Sequence, residues 1–133
     1  MTFTESLLNT INTKIKEGYK LSNDQITELL EAIAKLAKDP LTYTSLKRLY
    51  SIFFEDNKKL NDILTKRELE ILSLIDVQKN SLEISNALDI KLSTVETHRK
   101  NIRRKLHIKS TSALYHYAKI ANLLIQHKNH KTT

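Results

Sequence analysis

Apolar residues recur along this chain at steps of three and four, the period of a helix with one buried face, and not at the step of two that marks a strand. Leu7, Leu8, Ile11 and Ile15 predict a first helix over 4–17, with Gly18 as its stop. Ile26, Leu29, Leu30, Ile33, Leu36 and Ala37 predict a second, opening near Ser22 or Asn23 and closed by Pro40. A third is marked by Leu46, Leu49, Tyr50, Phe53 and Phe54. The polar, mixed-charge run "EDNKKLND", 55–62, then reads as a linker.

Beyond it, helix starts are written into the polar positions. Thr65 stands three residues before Glu68, and Asn80 three before Glu83, each a capping-box pattern ahead of an apolar run. They predict a helix over 65–78 burying Leu69, Leu72 and Ile75, and a short one over 81–88 burying Ile84 and Leu88. Two more follow, a basic one after "DIKLS" and a last one over 111–127. With a single Gly and a single Pro there is little material for β-turns, and the chain reads as all-α. Short helix, tight turn and a helix with one polar face form the pattern of a helix-turn-helix.

Charge separates the two halves. Residues 1–63 carry nine basic and nine acidic side chains, so the whole formal excess of +7 falls in residues 64–133. That asymmetry predicts a polyanionic partner for the second half, either nucleic acid or an anionic membrane surface. The absence of cysteine rules out disulfide and thiolate chemistry and fits a reducing compartment. The N-terminus carries Glu5, Asn9 and Lys14 where a signal peptide needs an apolar run, and no segment approaches the ~20 apolar residues of a membrane span. The expectation is a cytoplasmic protein with no membrane partner.

The excess is densest in "TVETHRKNIRRKL", 94–106, with five positive charges against one acid. At about 100° per residue, Val95, Ile102 and Leu106 form one apolar stripe. Thr97, Lys100, Asn101 and Arg104 lie opposite it, with Glu96 and Arg103 on the flank. Crowded like charge is tolerable where a polyanion covers it, and nucleic acid is the commonest polyanion.

"LTKRELEILSLI", "LEISNAL" and "STVETHRKNIRRKL" together resemble the LuxR/GerE-type helix-turn-helix of bacterial transcription regulators, with its L-T-x-R-E opening, its E-I-A turn-entry helix and its T-V-x-x-H recognition helix ending in R-K-L. The resemblance covers about 64–124. It implies a four-helix domain over 61–133 whose third helix lies in the major groove and whose fourth serves dimerisation. Residues 1–60 would be a three-helix region that dimerises, docks a regulatory protein or braces the DNA-binding unit. The chain departs from the pattern at Gln78, Ser85, Asp89 and Lys91, where the family often has Gly, Ala, Gly and Ser. Asp tolerates the left-handed conformation of a tight turn better than most residues. Lys91 cannot cap a helix, so two starts compete for the recognition helix: Lys91, favoured by the resemblance, and Ser93, whose "STVE" is itself a capping box with Glu96.

By family position and helix face, Glu96, Thr97, Lys100 and Asn101 are the expected base-contacting residues. Lys91, Ser93, Thr94, Arg99, Arg103, Arg104, Lys105 and Lys109 are the expected contacts to the DNA backbone. Arg67 is expected to be a structural ion-pair partner and His98 a hydrogen-bonded packing residue. The five histidines offer no pair at i, i+4 and no carboxylate at a ligand-like offset, so no metal is expected. No phosphate loop, nucleophile motif or paired carboxylates mark an enzyme, and no cofactor is implied.

In the last helix Leu114, Tyr117, Ala118, Ala121 and Leu124 form one stripe, and Ile120, Leu123 and Ile125 leave little polar face. Such a helix needs cover on both sides, from the N-terminal helices, a second copy or both at once, and the five-residue stripe is the expected dimer contact. The functional expectation is a homodimeric, sequence-specific transcription regulator. Its rivals are a helix-turn-helix-shaped module that binds a transcription or signalling protein, and a sigma region-four-like domain. The latter shares the "TKRELEIL" type of opening but not His98 or the helix beyond Thr111.

Overall fold

The computed structural model describes residues 3–36, 47, 50, 51 and 60–128. Among these lie α1 (Phe3–Gly18), α2 (Asn23–Leu36), α3 (Leu60–Ile63), α4 (Lys66–Asp76), α5 (Ser81–Leu88), α6 (Leu92–Leu106) and α7 (Thr111–Gln126). Most of the predicted third segment, residues 55–59 of the predicted linker and Pro40 lie outside the described residues. The end of that linker is not a linker: Leu60 opens a helical turn and is buried with Leu64, because both fill the base of the core.

Local hydrogen bonds account for most helix starts. Ser22 and Gln25 form a capping box before α2, with Gln25 N–H donating to Ser22 Oγ at 3.2 Å and Ser22 N–H to Gln25 Oε1 at 2.9 Å. Thr65 and Glu68 do the same before α4, and Asn80 and Glu83 before α5. Ser110 Oγ accepts from Ala113 N–H at 3.0 Å and caps α7.

The ends of α4, α5 and α6 share one device. Gln78, Asp89 and His107 take left-handed φ of 63°, 54° and 58°. The next residue then donates back across the last turn: Lys79 to Leu74 O, Ile90 to Ser85 O and Ile108 to Arg103 O. This is the Schellman closure. None of the three is glycine, so each carries the left-handed penalty of an L side chain. Gln78→Gly should therefore raise stability by about 0.5–1 kcal/mol, less the exposed bond from Gln78 Nε2 to Tyr115 OH. Thermal melting should show a gain of about 2–4 °C.

α7 is the keystone. It packs against α2 on one side and α4 on another, while α6 packs on α4 and α5. Its Leu114, Tyr117, Ala118, Ala121 and Leu124 are all at most 1 % exposed, and Ile120 and Leu123 are buried as well. The stripe expected to meet a second protomer is spent inside the chain, because α2 and α4 reach it first. The chain around α7's C-terminus is tied back to the α1–α2 turn: Lys20 N–H donates to His127 O at 2.8 Å, Tyr19 forms an antiparallel bridge with Lys128, and Gln25 Nε2 lies 3.1 Å from His127 Nε2.

Candidate nucleic-acid interface

The basic helix α6 begins at Leu92 with Lys91 as N-cap, the earlier of the two competing starts. Lys91 makes no side-chain cap bond, and Ser93 already lies inside the helix, with Thr97 Oγ1 donating to Ser93 O at 3.0 Å. The "STVE" capping box is therefore not formed, although its local chemistry is sound. The left-handed Asp89 and the half-buried Ile90 bring the chain out of α5 already turned, and the burial of Val95 holds the first turn in place.

On α6, Val95, Ile102 and Leu106 face the core. Ser93, Glu96, Thr97, Lys100 and Arg104 are exposed, while Thr94, Asn101 and Arg103 are half-buried at the edges. Lys91 and Lys109 are exposed at the two ends. One side of the helix thus presents hydroxyl, carboxylate, ammonium and guanidinium groups together, the mixture that reads base edges and phosphates in a groove.

Two of the expected backbone contacts stand apart. Lys105 Nζ donates to Glu68 Oε1 at 2.7 Å, the same oxygen that accepts Thr65 N–H at 2.8 Å. Its ammonium is engaged within the chain, tying the capping box of α4 to the C-terminal part of α6. Burial works to raise the Glu68 pKa, but the Lys105 ammonium and the Thr65 donors outweigh it and hold the carboxyl below its ordinary value. Arg99 is only 8 % exposed, and burial pushes its guanidinium pKa down.

Arg67 pairs with Glu70 at 3.1 Å on the surface, as expected of a structural partner. His98 is half-buried without a hydrogen bond among the described residues, so its packing role lacks the expected bond.

Sequence reasoning missed an ionic centre that joins α4, α7 and α2. Asp76, at the C-terminal end of α4, has 3 % side-chain exposure and lies 3.2 Å from Lys119 of α7, which also stands 3.8 Å from Glu28 of α2. Burial disfavours the Lys119 charge, but the two acids more than compensate and raise its pKa. A signal was present: Asp76 continues the stripe of Leu69 and Leu72 at helical spacing, a carboxylate where the pattern asks for an apolar residue.

A short helix, a tight left-handed turn and an exposed basic helix, all seated on two longer helices, define a helix-turn-helix domain. Residues 62–118 match the bacterial regulatory proteins of the luxR family, and this part of the chain belongs to that family. The transcriptional regulatory protein MctR of Rhizobium johnstonii is 38 % identical over 101 residues, covering 76 % of this chain and 47 % of MctR. The oxygen regulatory protein NreC of Staphylococcus carnosus is 36 % identical over 117 residues, covering 81 % of this chain and 54 % of NreC. These matches are longer than the stretch from residue 62 to the C-terminus, so they reach into the N-terminal helices. The chain spans about half the length of the curated relatives it matches. No solved structure matches it significantly. No described helix is long and apolar enough to cross a membrane.

Proposed function

We propose that the chain is a sequence-specific transcriptional regulator that binds duplex DNA as a homodimer, with α6 in the major groove. The observation that carries this reading is the exposed polar side of α6. Ser93, Glu96, Thr97, Lys100 and Arg104 stand free of the core on a helix whose opposite side is fully buried. In this reading Lys100, Thr97 and the half-buried Asn101 meet base edges, and Glu96 accepts from a cytosine amino group. Lys91, Ser93, Thr94, Arg103, Arg104 and Lys109 meet phosphates. The naming of MctR as a transcriptional regulatory protein supports the same reading.

Selection of bound sequences from random duplex DNA tests it, and an enriched inverted repeat is the expected result. With some five phosphates neutralised per protomer, log affinity should fall against log salt with a slope of about −4 to −5. A flat slope and no enriched site would favour the protein-interaction module instead.

The dimer contact in this proposal shares Ala118 and Ala121 with the α7 stripe but leaves out Leu114, Tyr117 and Leu124, and centres on a groove between α4 and α7. Leu69, Leu72 and Ser73 of α4 and Ala118, Ala121, Asn122, Ile125 and Gln126 of α7 line a groove of about 240 Å³ that carries no charged side chain. Ile125, 50 % exposed, is a knob on the same helix as the small residues that form the hollow, so a two-fold contact would satisfy both copies at once. Half-sites about 34 Å apart would follow. Sedimentation at micromolar concentration should give a dimer for the native chain and a monomer for Ile125→Arg. A native monomer, both free and on DNA, would remove the dimer from the proposal. The N-terminal helices, of which α2 covers α7, are the surface proposed to take a regulatory protein.

A further inference from the structure

Among the described residues Arg99 is the most deeply buried cation, and its side chain makes no hydrogen bond or ion pair with any of them. Glu96, three residues before it, and Arg103, four after, are its charged neighbours on α6, and Glu96 does not come within ion-pair distance. None of its side-chain nitrogens is among the fully enclosed polar atoms that lack a partner, so the exposure it retains includes the guanidinium nitrogens. The picture is of an aliphatic stem packed into the domain with an unsatisfied five-donor fork held at the surface, at the edge of the helix that also presents Glu96 and Lys100.

We infer that Arg99 is a pre-ordered phosphate anchor, the one backbone contact of α6 whose geometry is set before DNA arrives. The inference rests on the DNA-binding reading above and deepens it. A long exposed side chain such as Arg104 or Lys100 must surrender its rotamer freedom on binding, which offsets much of what the contact contributes. Arg99 surrendered that freedom on folding, so more of its fork-to-phosphate interaction is retained as affinity. Arg103 at i, i+4 repels Arg99 while Glu96 attracts it, and a phosphate lying against both arginines would turn the remaining like-charge pair into a shared anion site.

Fluorescence anisotropy of the full chain on a mixed-sequence duplex, repeated across salt concentrations, tests this. Arg99→Lys keeps the charge but loses the planar fork, so binding should weaken about tenfold, a loss of about 1.4 kcal/mol, with the salt slope unchanged. Arg99→Met keeps an unbranched apolar stem at this buried position and removes the charge; the slope should shrink by about 0.9 and affinity fall further than for Arg104→Met. Melting temperatures near that of the native chain confirm that the variants remain folded, and Arg99→Gln replaces Arg99→Met if the latter does not. An unchanged slope in the folded, charge-free variant, or a loss no larger than that of Arg104→Met, would overturn the anchor. A flat slope in the native chain would instead overturn the DNA reading itself, and the two failures are thereby distinct.

Discussion

Lys119→Met should destabilise the protein by about 3 kcal/mol, lowering the melting temperature by about 10 °C. The size follows from what is left behind. Asp76 keeps 3 % side-chain exposure and has Lys119 Nζ at 3.2 Å as its counter-ion. It also sits at the C-terminal end of α4, where the helix dipole opposes a negative charge. Methionine matches the stem of lysine but leaves that carboxylate desolvated and uncompensated, which costs far more than a surface pair contributes. Glu28 adds little, since at 3.8 Å and 55 % exposure its attraction to Lys119 is screened by water. The double variant Lys119→Met with Asp76→Leu should therefore recover most of the loss, because the stranded charge has been removed as well. Chemical denaturation of the four members of this cycle measures the coupling. A single-variant loss below about 0.5 kcal/mol would show that the pair is no more than a surface contact.

Glu68→Gln should cost about 2 kcal/mol at neutral pH and remove part of the protein's acid sensitivity. Glutamine can still accept Thr65 N–H in the capping box. What it loses is the charge-assisted bond from Lys105 at 2.7 Å, which joins α4 to α6. The Glu68 carboxyl is held below its ordinary value of 4.5 in the folded state. Its contribution to stability is thus complete above that unfolded value and is lost as pH falls through the lower, folded one. Denaturation midpoints between neutral pH and pH values below 4.5 should consequently fall less steeply for Glu68→Gln than for the native chain. Parallel curves would show that Lys105 does not stabilise the ionised form.

The parts of this fold that rest on neighbours three or four residues apart were legible from the residues alone. Thr65 with Glu68 and Asn80 with Glu83 bond to each other's backbone, so the starts of α4 and α5 needed no tertiary information. The apolar stripe of α6 and its polar opposite side followed from helical spacing, and Val95, Ile102 and Leu106 are buried as that spacing requires. The tolerance of Asp89 for a left-handed turn was readable from its side chain, and its φ of 54° lies in that region.

Wherever two local readings competed, or one face had several candidate partners, the tertiary structure decided. Lys91 and Ser93 both offered a start for α6; the turn at Asp89 and the burial of Val95 chose the residue with the poorer cap, because packing outweighs a single capping bond. Lys105 and Arg99 carry the same charge as Arg104 but sit where Glu68 or the core lies beside them, and no sequence spacing announces a carboxylate 37 residues away. α7's spacing showed that it must be covered on most of its circumference, yet a helix face attracts apolar surface without regard to whose it is. Only the placement of α2 and α4 assigned Leu114, Tyr117, Ala118, Ala121 and Leu124 to the interior of one chain. Helix formation and amphipathicity are local and periodic, and the sequence determined them; the identity of what covers a face depends on contacts distant in sequence, and that the tertiary structure alone decided.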